Sequence, residues 1–196
     1  MTYETIAALS LFALVSSITP GPNNLMLMAS GANFGFRQTL PHLLGVNLGF
    51  ALMIFLVGIG LSRVFDLYPL SYSILKIFSI VYLSYLAYKI ANAAPPKDAE
   101  EKGRPFTFLQ AAAFQWVNPK AWAMSMGAIT LYAASKELSA ILMITLVFGL
   151  VNLPSISGWT VLGQQMRHWL GSPIRLRIFN YAMAALLMLS LYPTLF

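Results

Sequence analysis

The chain has 196 residues, 58% of them hydrophobic and 9% charged, with a mean hydropathy of +0.71. Soluble domains carry about 25% charged residues, so this chain cannot cover a water-facing surface and reads as one integral membrane domain. The formal charge of +6 lies mainly in loops between apolar spans, which points to membrane orientation rather than nucleic acid, and the lack of cysteine excludes disulfides and thiolate metal sites.

Crossing about 30 Å of hydrocarbon takes roughly 20 apolar residues as a helix. Six segments approach that length. The first, 5–32, is interrupted at Pro20, Gly21 and Pro22. The N-terminal stretch MTYETIAALSLFALVSS lacks a basic start and carries Glu4, so it reads as a retained span rather than a cleaved leader. The second span, 41–61, begins at Pro41, a residue suited to a first helical turn. The third is 71–91, and the polar stretch APPKDAEEKGRP follows it. The fourth, 107–131, is interrupted at Asn118-Pro119; the fifth, 138–162, contains Pro154 and Gly158; the sixth is 178–195.

The expected fold is all-α: six transmembrane helices as two inverted three-helix repeats, with spans one and four interrupted. Residues 1–92 form the first repeat, 93–106 a cytoplasmic loop and 107–196 the second repeat. Spans one and four both carry an Asn/Pro interruption. Spans two and five share a short element, Gly45-Val46-Asn47-Leu48 against Gly149-Leu150-Val151-Asn152-Leu153. Three spans per half invert the second half relative to the first, a pattern of secondary transporters. The loops after spans one, three and five hold eight Lys and Arg (Arg37, Lys89, Lys97, Lys102, Arg104, Arg167, Arg175, Arg177) against two, Arg63 and Lys136, in the others. That asymmetry places the basic loops in the cytoplasm and both termini in the periplasm.

The interruptions carry the functional expectation. Pro20 and Pro22 remove two backbone donors, and Gly21 permits a turn that other residues resist. Asn118-Pro119 has the order of a helix start, Asn as N-cap and Pro at the first position. Each break therefore predicts a helix N-terminus at depth, whose free N–H groups and partial positive charge suit a carboxylate. Lys120 adds a full charge near mid-span, where one is costly. Asn23, Asn24, Asn118 and Gln115 add neutral donors and acceptors, and Asn47 and Asn152 are candidates for either site contacts or interhelical bonds. The constellation fits a small zwitterion. It fits a metal poorly, because none of the six acidic residues lies well inside a span. No nucleophile–base pair, HExxH or GxSxG is present, so the chain does not read as an enzyme. Gly31/Gly35 and Gly45/Gly49 have GxxxG spacing and read as packing faces that would allow a homodimer.

TPGPNNLMLMASGANFGFRQTLPHLLGVNLGF resembles the N-terminal signature of the LysE/RhtB family of bacterial amino-acid exporters, and FQWVNPKAWAM resembles that family's motif in span four. Length, six spans and a basic central loop agree, so the resemblance covers the whole chain. It implies efflux of amino acids or their derivatives, such as cysteine, O-acetylserine, homoserine or threonine, across the bacterial inner membrane, as a proton antiporter, with no cofactor and no nucleic acid partner. The motif positions carried over are Pro20, Gly21, Pro22, Asn23, Asn118, Pro119 and Lys120. A metal or other cation exporter of a related family, or a channel, are the alternatives.

Overall fold

A computed structural model describes residues 1–92, 104–133, 137–170 and 172–192. Most of the basic loop expected at 93–106, with Lys97, Lys102, Asp98, Glu100 and Glu101, lies outside them, as do Lys136 and the end of span six.

Helix α1, Tyr3–Ile18, starts where the Thr2 side chain accepts from the Thr5 N–H. It stops before Pro20, and α2, Pro22–Phe34, restarts at an angle of 54° to it. Gly35 then takes φ 83°, a left-handed conformation open mainly to glycine, and turns the chain in one residue into α3, Phe36–Leu56. The second span therefore begins five residues before Pro41, which lies inside α3 rather than in its first turn. The last turn of α3 widens into a π-helical segment, Val57–Leu61. A short α4, Arg63–Leu67, leads to α5, Pro69–Ala91.

The second half opens with α6, Phe108–Phe114, started by a capping box in which Thr107 and Gln110 satisfy each other's backbone N–H groups. A 3-10 turn, Gln115–Val117, joins it to α7, Pro119–Tyr132. Helix α8, Leu138–Trp169, runs through Pro154 and Gly158 without a break, and α9, Pro173–Leu189, follows. Among the described residues three helices are long and apolar enough to cross a membrane, Phe36–Leu61, Pro69–Ala91 and Leu138–Met166, and a fourth if α1 and α2 count as one bent span. Spans four and six rest on the sequence pattern, since α6 and α7 have 7 and 14 residues and α9 has 17.

Helix α2 is the centre of the molecule. Every residue from 24 to 32 is buried, and the helix packs against α8, α3 and α9. Small residues allow the approach: a Cβ on Gly31 would lie 2.2 Å from the Thr160 carbonyl oxygen, and one on Gly163 2.0 Å from that of Met28. Gly45 and Gly49 meet α6 in the same way, with a Cβ falling 2.3 Å from Phe108 O and 2.6 Å from Ala112 Cα. The glycine faces read from the sequence as packing faces are therefore used inside the chain. The outward faces of α1 and α5, with Leu11, Val15, Phe78 and Val81 all exposed, are apolar, as a lipid-facing surface must be.

Candidate functional site

The first break leaves the carbonyl end of α1 and the amide end of α2 to be satisfied. A helix leaves its last carbonyls without partners, and at membrane depth each must find one. At the end of α1 every carbonyl from residue 16 to 20 finds one. The Thr19 hydroxyl donates to Ser16 O at 2.9 Å. Asn24 Nδ2 donates to Ser17 O and Thr19 O, both at 2.8 Å. Trp159 Nε1, from α8, donates to Ile18 O at 3.1 Å. Lys120 Nζ, from α7, donates to Thr19 O at 2.6 Å, to Thr19 Oγ1 at 2.9 Å and to Pro20 O at 3.4 Å. A cation at a helix C-terminus is in its favoured place. Lys120 thus ties the C-terminal end of α1 to the second half of the chain.

That contact also explains Gly21. Its φ of −174° and ψ of 176° are extended backbone that any residue adopts, so conformational freedom does not require glycine there. Size does: a Cβ would lie 2.5 Å from Lys120 Cδ. This corrects the expectation that Gly21 supplies an unusual turn.

The two helix starts differ. Helix α7 begins as the sequence predicts, with the Asn118 side chain accepting from the Lys120 N–H at 3.1 Å and Pro119 in the first turn. Helix α2 has Gly21 as N-cap and no side-chain cap at all. Its amide end is open to a ligand, whereas that of α7 is already occupied.

Paired amides join the halves. Asn23 Nδ2 donates to Gln115 Oε1 at 2.8 Å, and Gln115 Nε2 returns a bond to Asn23 Oδ1 at 3.1 Å. Asn152 Nδ2 donates to Asn47 Oδ1 at 2.9 Å, and Asn47 Nδ2 donates to Gly149 O at 3.2 Å. The Asn47 and Asn152 elements, read from the sequence as counterparts, meet each other across α3 and α8.

Gly21, Asn23, Asn24, Asn118, Lys120 and Asn152 line one cavity. Pro20 contributes a carbonyl to Lys120, Pro22 and Pro119 start the two helices, and Asn47 reaches the cavity through Asn152. The cavity measures about 20 Å³, room for a single water, so a larger molecule fits only if its walls move apart. The Ser17 hydroxyl, on its wall, is buried without a partner among the described residues.

Residues 14–190 match the family model described as LysE type translocator. The chain belongs to this family. Curated relatives described as cysteine/O-acetylserine efflux proteins, from Escherichia coli strain K12, Escherichia coli O139:H28 and Shigella sonnei, are each 34% identical over 122 residues, 61% of this chain and 61% of theirs. The matched region thus spans about three fifths of the length of those relatives. No solved structure matches.

The motif positions alone do not reveal the whole centre of this LysE-type translocator. Thr19 and Trp159 share in capping α1, and Ser16, Ser17, Phe50 and Met124 line the cavity. The adjacent pair Ser16-Ser17, polar in an apolar span, was the available signal; nothing in the sequence marks Trp159 or Phe50.

Proposed function

We propose that this LysE-type translocator exports amino acids or amino-acid derivatives across the bacterial inner membrane, and that the substrate carboxylate is received at the N-terminus of α2. One observation carries the reading: the uncapped amide end of α2 opens on the same cavity as Lys120, Asn152 and the unpartnered Ser17 hydroxyl. The amides and the lysine suit a carboxylate, while hydroxyl and amide oxygens suit an ammonium group.

The arrangement also links binding to movement. Lys120 Nζ holds the end of α1 through three oxygens. A carboxylate entering the cavity competes for those donors, so binding loosens α1 from α7. With the basic loops in the cytoplasm and the termini outside, α1 and α2 rock against the second half and expose the cavity to each side in turn. Cysteine and O-acetylserine, named in the relatives' descriptions, are small enough to be the first substrates to try. Proton entry down its gradient drives the export, as the family resemblance implies.

Purified protein in proteoliposomes, loaded with a panel of labelled amino acids, tests this directly. The expected outcome is saturable efflux of one or more small amino acids, faster with an imposed pH gradient than without. No efflux of any member of the panel sinks the exporter reading, and equal rates with and without the gradient remove the proton from it.

A further inference from the structure

A second cavity lies about 15 Å farther along α2, ten residues from Asn23 at 1.5 Å per residue. It measures about 300 Å³, at the lower end of small-molecule sites, and is lined among others by Ser30, Asn33, His42, Lys89, Arg104 and Phe106. Lys89 lies in the last turn of α5 and Arg104 precedes α6, so both flank the basic loop.

Its wall carries polar atoms that the described residues leave unused. Asn33 Nδ2 donates to Ala29 O at 2.8 Å and to Asn180 Oδ1 at 3.3 Å, which leaves Oδ1 buried and without a partner. His42 is 2% exposed, its ring packs on Phe106 at 5.2 Å, and neither ring nitrogen has a partner. Buried polar groups are almost always paired, because leaving one unpaired is costly, so two beside one cavity call for a ligand that uses them. The unused atoms include acceptors: the amide oxygen of Asn33 and, in a neutral imidazole, one nitrogen of His42. Lys89 and Arg104 bring two cations to the same space.

We infer that this cavity is a second zwitterion site, on the side of the basic loop, where the amino acid docks before reaching the breaks. Its carboxylate faces Lys89 and Arg104, and its ammonium group faces Asn33 Oδ1 and His42. The inference rests on the exporter reading and adds a loading station to it.

The test is uptake into everted membrane vesicles, which present the cytoplasmic face, using the labelled amino acids of the proteoliposome panel, beginning with L-cysteine and O-acetyl-L-serine. Lys89→Gln combined with Arg104→Gln alters two exposed side chains and leaves the fold intact. The expected result is a KM raised about tenfold or more with maximal rate within about twofold of wild type. The difference should persist at about 0.5 M KCl, where a screening length of about 4 Å abolishes long-range steering but not a contact. An unchanged KM, a fall in maximal rate alone, or a KM difference that vanishes in high salt each overturns the site. Wild-type vesicles that take up none of the amino acids overturn the exporter reading and this site with it, whereas normal wild-type uptake beside an unchanged variant KM overturns this site alone.

Discussion

The two breaks use the same residue types and reach different structures. In the second half Phe108–Phe114 passes through a 3-10 turn into α7, and the new helix is capped locally by Asn118. In the first half the chain bends by 54°, the new helix has no side-chain cap, and the end of the old one is capped by Asn24, Trp159 and Lys120. One break is closed by its own neighbours and the other by residues as many as 141 positions away. A locally capped break keeps its geometry whatever the rest of the molecule does. A remotely capped one holds only while the two halves keep their present positions, which makes the first break the movable element.

The largest expected effect removes the remote cap. Lys120→Met leaves Thr19 O with Asn24 alone and Pro20 O with no donor; hydrogen bonds to charged groups contribute about 1.5–3 kcal/mol. Efflux in proteoliposomes should fall at least about tenfold, while the protein still inserts and runs as a folded species on size exclusion. Wild-type efflux in this variant would remove Lys120 from the mechanism and make the two breaks equivalent.

A smaller effect is expected at the amide pair that joins the breaks. Asn23→Leu strands the buried Gln115 amide and Gln115→Leu the half-buried Asn23 amide, at a cost of about 1–3 kcal/mol for the buried one. Thermal unfolding in detergent should show the double variant less destabilised than the two singles added together, by about 1 kcal/mol. Strict additivity would mean the pair does not couple the halves.

The smallest effect belongs to the local cap. Asn118→Ala should lower stability by about 1 kcal/mol, as N-cap losses do, and change efflux far less than Lys120→Met. Comparable efflux losses in the two variants would abolish the distinction between a local and a remote cap.

Much of this was legible beforehand, for identifiable reasons. The positions of both breaks follow from proline clustered with glycine or asparagine, in Pro20-Gly21-Pro22 and Asn118-Pro119, whereas the lone Pro41 and Pro154 stay inside helices. Asn118 as N-cap follows from local chemistry as well. The start of α3 did not, because Pro41 looked like a helix start while Gly35, with its φ of 83°, made the turn instead. The role of Gly21 was misread for a related cause: its requirement is the space taken by Lys120, 99 residues on, and no local rule sees that. The spacing of Gly45 and Gly49 marked a face for close approach but not which helix approaches, and α6 fills it.

The sequence by itself determined the medium, the helical class, the two breaks, the family and the set of polar residues near the centre. Those follow from composition and from backbone effects that act within a few residues. Only the tertiary structure decided which atoms those residues touch: that Lys120 holds α1 rather than standing free, that α2 keeps the open amide end, and that Asn47 meets Asn152. The reason is the bilayer. With no water at depth, a backbone polar group freed by a break needs a protein partner, and which partner it finds depends on helix packing that brings together residues about a hundred positions apart.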